Sequence, residues 1–221
     1  MLLSSNNDRY LLVSNMSRVK LGEVAAGVSV VEMAPRERIL AAAQQLFYSR
    51  GIRSVSVDEI AAAAGTNKMT LYRHFESKDQ LIAEYLRRLA AEADASWAAA
   101  AQARPGDARG QLEWWSEHFC RSLSDPANRG CALANAAVEI AEKDHPARQV
   151  IEQHKRDQRE HLAELCREAG FRNAEKRADE IFLLLEGARV NMQSVGREGP
   201  CRRTAELLRA LLNETPRNPG A

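Results

Sequence analysis

One segment of the chain concentrates side chains that can form directional hydrogen bonds with a nucleic acid. It runs from Gly65 to Phe75 and reads GTNKMTLYRHF. A guanidinium can donate two parallel bonds to the O6 and N7 atoms of a guanine, and ammonium and hydroxyl groups can reach other base edges. We therefore expect base contacts from the polar residues that face outward on a helix here: Lys68, Thr70 and, best suited to a guanine, Arg73.

The same region offers groups suited to phosphate oxygens, which hydroxyl, amide, imidazole and ammonium donors can hold without reading sequence. The candidates for this role are Ser56, Thr66, Asn67, Tyr72, His74 and Lys78. Ser56 is expected at a helix N-terminus, where backbone N–H groups favour anions. The tyrosine has a second interpretation, because its ring could instead pack under the first helix of the fold.

Local signals predict two short helices around a tight turn at this position. The stretch SVDE, from Ser56 to Glu59, is a capping box that starts a helix with one apolar face. Gly65 ends that helix, since glycine tolerates the left-handed conformation of a sharp turn, and either of the next two polar residues can cap the helix that follows. There Leu71 and Phe75 are four residues apart and point inward. The arrangement predicts a helix-turn-helix, the layout of a major-groove reader.

Helices on both sides complete this part of the chain. Upstream, Pro35 suits a first helical position and Gly51 a position just beyond a helix end. Downstream, Ser77 opens a second capping box and a long helix with apolar residues on one side. Four helices therefore account for Pro35 to about Ala101.

On these motifs, residues Arg38 to Ile82 resemble the DNA-binding domain of the TetR family of bacterial transcriptional regulators. Several separate features agree, among them Ile-Ala before Ala-Gly, Leu-Tyr-x-His-Phe and the following Ser-Lys. Met69 departs from the pattern, because family members often carry Gly or Pro there. The resemblance covers about a fifth of the chain.

The resemblance implies an all-α fold. An N-terminal three-helix domain with the helix-turn-helix would be joined by a long helix to a C-terminal helical domain for ligand binding and dimerisation. It also supports phosphate contacts by Tyr72, His74 and Lys78. In the family, the last two long helices of each subunit pack against their twofold mates as a four-helix bundle.

The rest of the chain is predicted to be helical as well. Gly and Pro separate alanine-rich segments, and no Asn-Gly hairpin or sustained alternation predicts a strand. Further helices are expected over approximately residues 108–123, 131–144, 146–169, 174–195 and 202–213. The predicted domains are an N-terminal arm without fixed structure (1–34), a DNA-binding domain (35–80), an effector-binding and dimerisation domain (81–215) and a tail (216–221). The arm could also precede a true start at Met16 or Met33.

Charge and hydropathy agree with this organisation. Pro35 to Ala91 holds nine Lys and Arg against six Asp and Glu, whereas Glu92 to Ala221 holds nineteen against twenty-one. A modestly basic segment near the N-terminus, followed by a slightly acidic remainder, suits a protein that binds DNA at one end. No apolar run approaches the length of a membrane span, and the first 30 residues lack the apolar stretch of a secretory signal. We therefore expect a cytoplasmic protein.

Two segments in the C-terminal part of the chain are more apolar than a helix with one solvent-exposed face requires. These are Ile181 to Val190 and much of Leu207 to Leu212. A second surface must cover them, which predicts a homodimer through the last two long helices. The alternative is that both faces are buried inside one subunit.

A candidate effector pocket combines aromatic and polar side chains on two expected helices. Its proposed lining residues are Trp114, Trp115, His118, Phe119, Asn135 and Glu139. An apolar cavity with a few polar groups is what a small-molecule site requires. The aromatic residues could equally be plain core, although Asn135 and Glu139 would then need partners.

Two other functions remain open at the level of sequence. One is a helix-bundle oxidase with a carboxylate-bridged di-iron centre, which needs two Glu-x-x-His pairs, whereas the chain offers one, from Glu142 to His145. The other is a regulator that senses redox state through Cys131, which lies near Arg129 at an expected helix start. Otherwise the cysteines are expected to act as buried small hydrophobes.

Taken together, the motifs favour a ligand-responsive DNA-binding transcriptional regulator that is not an enzyme. We expect a repressor that binds a palindromic operator in double-stranded DNA as a homodimer and is released by an unidentified small molecule. No catalytic residue, metal or cofactor is assigned.

Overall fold

Capping residues set the limits of most helices. The computed structural model describes residues 33–125, 128–196 and 198–213, and all regular structure within these ranges is helical. The helices there are α1 (Pro35–Arg50), α2 (Val57–Ala63), α3 (Lys68–His74), α4 (Lys78–Ala103), α5 (Ala108–Leu123), α6 (Ala132–Glu139), α7 (Pro146–Glu168), α8 (Ala174–Val195), a 3₁₀ turn (Pro200–Arg203) and α9 (Thr204–Asn213). The predicted all-α fold is confirmed.

Two of the predicted helices, α5 and α8, begin and end at the expected residues. The Asp107 carboxylate accepts a hydrogen bond from the Gly110 amide at 2.9 Å, and the Asn173 side chain accepts one from Lys176 at 3.3 Å. These side chains satisfy amide groups that lack a partner in the first turn. Gly196 follows α8 with a φ of 77°, which glycine adopts without strain.

Two boundaries differ from the prediction. The helix expected over 131–144 ends at Glu139, because Ile140 has an extended backbone, with φ of −97° and ψ of 99°, and buries its side chain in that conformation. Apolar spacing alone cannot distinguish this burial from helical burial. The last helix begins at Thr204, since the four preceding residues form the 3₁₀ turn.

The described residues form two compact units. The first unit comprises residues up to Glu92 together with Cys131–Gln153. Its core combines residues of α1 to α4 with residues of α6 and the start of α7: Ile39, Phe47, Ile60, Leu71, Leu81, Tyr85, Leu133, Ala136, Ile140, Ala147 and Ile151. Two ion pairs join α1 to α4 at its surface, Arg36 to Glu84 at 2.8 Å and Arg88 to Glu37 at 3.2 Å. The helix-turn-helix is therefore packed with residues far along the chain.

The second unit comprises Ala93–Gly130 and the described residues from His154 onward. Its core contains Trp97, Trp115, Phe119, Leu162, Ile181, Leu185 and Leu208. The rings of Trp97 and Trp115 stack with centroids 4.0 Å apart, and the Trp115 indole N–H donates to the Ser96 hydroxyl at 3.1 Å. A buried indole N–H usually requires such a partner.

The two units divide the chain differently from the predicted domains. Residues 81–92 and 131–153 pack with the helix-turn-helix, although they were expected to belong to the effector domain. Most of the predicted arm (1–34) and the predicted tail (216–221) lie outside the described residues. None of the helices described is long and apolar enough to cross a membrane.

Candidate nucleic-acid interface

The start of α2 is held by a reciprocal cap. The Ser56 hydroxyl accepts a hydrogen bond from the Glu59 amide at 3.2 Å, and the Glu59 carboxylate accepts one from the Ser56 amide at 2.8 Å. The Arg50 guanidinium also donates to this carboxylate at 2.7 Å. The Ser56 amide, Arg50 and the Ser56 hydroxyl together lower the pKa of Glu59 to about 2. The predicted capping box is confirmed, and the Ser56 hydroxyl is already engaged in it.

The turn between the two short helices is built from backbone contacts. Gly65 has a φ of 62°, in the left-handed region that favours glycine. The Thr66 amide donates to the Ala61 carbonyl at 2.9 Å, which satisfies a carbonyl at the end of α2. The Asn67 side-chain oxygen accepts from the Thr70 amide at 2.9 Å. Asn67, rather than Thr66, therefore caps α3.

Helix α3 has a buried side and an exposed side. Leu71 and the following Phe75 are buried in the first unit and anchor the helix. Removing from water a side chain of this size contributes about 1.5–3 kcal/mol. The residues on the other side are exposed: Lys68, Met69, Tyr72, Arg73 and His74, while Thr70 is half-buried. Leu71 and Phe75 thus point inward as predicted. Of the three residues assigned to base contacts, Lys68 and Arg73 are exposed, whereas Thr70 is half-buried.

The two cations of α3 differ in their partners. The Lys68 ammonium lies 3.2 Å from the Asp58 carboxylate on α2. Both side chains are exposed, and an exposed pair of this kind contributes about 0–1 kcal/mol. Arg73 forms no ion pair with any residue that the structure describes. Its guanidinium therefore keeps all its donors available.

Two surface features of this region were not assigned a role from the sequence. Met69 is 74% exposed, in the middle of the outward side of α3. An apolar side chain there can contact a thymine methyl group in a major groove. Asp58 places a negative charge beside Lys68. The sequence alone did not predict this contact, because the two residues belong to different helices.

Lys78, at the start of α4, is directed into the protein. Its ammonium donates to the Ile52 carbonyl at 2.8 Å, and burial lowers the pKa of this side chain. The bond joins α4 to the connection between α1 and α2. A phosphate contact by Lys78 stays a prediction, and it would have to coexist with this bond or replace it.

A second contact holds the same connection from α6. The Glu139 carboxylate accepts from the Arg53 amide at 2.9 Å. Gly51 lies beside it, with a φ of 87°, and a β-carbon added there would lie 3.0 Å from a Glu139 oxygen. The stretch from Gly51 to Arg53 is thus bonded by Glu139 and by Lys78. No local sequence signal could reveal this role of Glu139, because Arg53 is 86 residues away.

Comparisons with known proteins agree with this geometry. The profile of the bacterial regulatory proteins of the tetR family matches residues 39–85. A crystal structure of a TetR-family transcriptional regulator from Streptomyces coelicolor matches with a TM-score of 0.76 at 29% identity, over 80% of this chain and 94% of that chain. Residues 39–85 form a DNA-binding domain of the TetR family.

Curated relatives are similar over a shorter stretch. An uncharacterized HTH-type transcriptional regulator of Mycobacterium tuberculosis is 46% identical over 52 residues, which cover 24% of this chain and 26% of that protein. The HTH-type transcriptional repressor KstR2 of Mycolicibacterium smegmatis is 40% identical over 52 residues, 24% of this chain and 25% of the repressor. The match thus spans about a quarter of each relative. Their names describe regulators of transcription, not enzymes.

The six residues predicted to line an effector pocket are divided between the two units. Trp115 and Phe119 are buried in the core of the second unit, and the rings of Trp114 and His118 stack with centroids 5.3 Å apart. Burial lowers the pKa of His118. Asn135 and Glu139 belong to the first unit. A single pocket lined by all six residues stays a prediction.

The residues on which the two alternative functions would depend can also be placed in the structure. Among the residues described, no three His, Cys, Asp or Glu side chains are grouped so that they could hold a metal ion. In the Glu-x-x-His pair, Glu142 lies 3.8 Å from Arg53 and His145 lies 3.3 Å from Asp79. Cys131 is half-buried at the start of α6, and redox sensing by it stays a prediction.

Proposed function

We propose that this chain is a ligand-responsive transcriptional repressor that binds a palindromic DNA operator as a homodimer. The TetR-type DNA-binding domain supports a role in transcription, and similarity to the repressor KstR2 supports the sign of regulation. We infer a cytoplasmic location, because a regulator of this kind acts on the chromosome.

The outward side of α3 carries the proposal. Its polar residues are exposed on a helix that is capped by Asn67 and anchored by Leu71. Base contacts are assigned to Lys68, Thr70 and Arg73, and phosphate contacts to the six remaining candidates. Arg73 is the strongest candidate for a base contact, because it is exposed and forms no ion pair with the described residues.

The second unit supports dimerisation by an exposed apolar surface. Leu183 and Val190 on α8 are 68% and 58% exposed, and Leu207 on α9 is 49% exposed. Leu183 and Val190 are seven residues apart and therefore share a face of α8. Two recognition helices must enter successive major grooves about 34–36 Å apart, which one subunit cannot do. We assign the twofold contact to this surface, which we call the apolar face.

Each subunit of the homodimer would carry one helix-turn-helix, from Val57 to His74, which we call its reading head. Release by a small molecule requires a ligand that binds one arrangement of the two reading heads better than the other. Helix α4 begins in the first unit and ends in the second, so it is the continuous element through which such a preference could act. A coupling of about 1–3 kcal/mol would be typical. We assign the effector site to the second unit, beside the aromatic residues of α5.

Selection of genomic fragments by the purified protein tests the proposal. We expect enrichment of palindromic sites, with a Kd of about 10⁻⁸ to 10⁻¹¹ M at physiological salt. Sedimentation of the complex should give two subunits on each site. Binding to all fragments alike, at about 10⁻⁴ to 10⁻⁶ M, would contradict the proposal, because that range is typical of non-specific contacts.

A further inference from the structure

A groove in the second unit, separate from the aromatic cluster, has the size of a small-molecule site. It lies between α5 and α9 and has a volume of about 550 Å³. Ligand sites commonly measure about 300–1,000 Å³. The Arg109 guanidinium donates a hydrogen bond to the Leu212 carbonyl, which holds the end of α9 against α5. We call this feature the α5–α9 groove.

Apolar and neutral groups form the floor of the groove. Leu208 and Leu212 line it from α9 and are themselves almost fully buried. Cys120 lines it from α5, and burial raises the pKa of its thiol, so the thiol stays protonated at neutral pH. The floor can therefore cover the hydrocarbon part of a ligand.

Ser116 provides a polar group at the same place. Only 7% of this residue is exposed, and it lines the groove. Its hydroxyl has no hydrogen-bond partner among the residues described. The Ser116 oxygen is not fully enclosed by the protein, so it is accessible from the groove that it lines. A ligand atom in the groove would give this hydroxyl a hydrogen-bond partner in place of water.

Four charged side chains line the groove, two of each sign. Glu113 and Glu117 lie four residues apart on one face of α5. Like charges at this spacing destabilise a helix, and a nearby cation would reduce that effect. Arg121 and Arg209 supply two guanidiniums, which suit carboxylates. None of these four side chains forms a salt bridge with another residue of the described part.

We propose that the α5–α9 groove binds a small zwitterionic amphiphile, with its ammonium group at the two glutamates and its carboxylate at the two arginines. The hydrocarbon body lies on the leucine floor, and the Ser116 hydroxyl bonds a polar atom of the ligand. All four charged side chains are exposed, so a molecule with one charge would be attracted by only one of the two pairs. The site therefore selects for both charges together.

The groove is independent of the surfaces used in the proposed function. On α9 its lining residues Ala205, Leu208 and Leu212 lie on the side opposite Leu207, which belongs to the apolar face. We therefore expect a homodimer formed through that face to leave the groove open. The proposal concerns the second unit alone and does not depend on DNA binding by the first.

Calorimetric titration of the full chain with three probes of equal chain length tests the proposal. The probes are 8-aminooctanoate, octylamine and octanoate, at a pH where both end groups are charged. We expect the zwitterion to bind at least about tenfold more tightly than either single-charge probe, since one further charge-assisted bond has that order of effect. Equal binding of the three probes, or no heat with millimolar zwitterion, would overturn the assignment.

Matched variants locate the site. Glu117→Gln and Arg209→Gln should each abolish the advantage of the zwitterion, whereas Glu206→Gln and Arg202→Gln, at exposed positions outside the groove, should preserve it. Bound zwitterion should also slow alkylation of Cys120 by iodoacetamide without slowing that of Cys131. Loss of the advantage in the control variants, or an unprotected Cys120, would place the ligand elsewhere and refute the proposal.

Discussion

At the scale of single residues, the cations near the helix-turn-helix differ in how much of their charge is available to DNA. Arg73 is exposed and forms no ion pair within the described residues. Lys68 forms an ion pair with Asp58, and the Lys78 ammonium donates a hydrogen bond to the Ile52 carbonyl. Residue type singled out Arg73 for a guanine, but it could not show that Lys68 and Lys78 are engaged, because their two partners lie on other elements. The structure therefore gives each cation a different expected effect on operator binding.

Replacement of Arg73 by alanine should reduce operator affinity by about 1–3 kcal/mol and relax the preference at one base pair, because base-edge contacts carry the sequence information. Fluorescence anisotropy with single-base variants of a selected operator measures both effects. Arg87→Ala is the matched control, since Arg87 is an exposed arginine on α4 in the same unit. Equal losses in the two variants would place the base contacts elsewhere.

For Lys78→Ala, two measurements separate two roles. Loss of the bond to Ile52 should lower the free energy of unfolding by about 1–2 kcal/mol. If Lys78 also holds a phosphate, operator affinity should fall for all sequences alike, and the salt dependence of binding should flatten by about one unit. Urea unfolding and salt titrations test these effects. An unchanged salt slope with reduced stability would leave Lys78 a structural role only.

At the scale of elements, α6 is the helix whose role differs most from the sequence interpretation. Its apolar residues Leu133 and Ala136 pack into the core of the first unit, and Glu139 bonds the connection between α1 and α2. This connection leads directly into the capped start of α2. Helix α6 therefore helps to position the reading head.

Loss of the Glu139 side chain should loosen that connection. For Glu139→Ala we expect a decrease of about 1–2 kcal/mol in the free energy of unfolding, because the Arg53 amide loses its partner, and weaker operator binding. Glu142→Ala is the control, since its exposed ion pair with Arg53 is worth about 0–1 kcal/mol. Hydrogen exchange at the Arg53 amide should accelerate in the first variant only. Unchanged exchange would rule out this role.

The sequence predicted elements well where the signal is local. Caps such as Ser56 and Asn173, and glycines such as Gly65, act within a few residues, so the limits of α2, α3, α5 and α8 followed from them. The end of α6 did not follow, because the burial of Ile140 depends on tertiary packing. Polar partners across long separations, such as Glu139 with Arg53, were equally beyond local patterns.

At the scale of the whole molecule, the apolar face of the second unit remains to be covered. The sequence indicated that the segment from Ile181 to Val190 was too apolar for one buried face. Ile181 and Leu185 belong to the core, Leu184 packs against it, and Leu183 is exposed. The structure thus identifies which leucines are available to a second subunit.

A charge at the centre of this face should separate the subunits. Leu183→Glu should give monomers in sedimentation and abolish tight operator binding, because a carboxylate would be buried without a partner in the dimer. The fold of each subunit should survive, since Leu183 is exposed within it. Val138→Glu is the control, as Val138 is an exposed apolar residue of the first unit. A Leu183→Glu variant that stays dimeric would contradict the assigned interface.

The discontinuous first unit has a consequence for protein synthesis. The helix-turn-helix is translated early, but its core includes Leu133, Ile140 and Ile151. The ribosome must add the 61 residues from Ala93 to Gln153 before that core is complete. At about 5–20 residues per second this takes roughly 3–12 s. During that interval the apolar residues that α6 will cover have no partner from α6, so the helix-turn-helix completes its core only after residues 93–130 of the second unit have been synthesised.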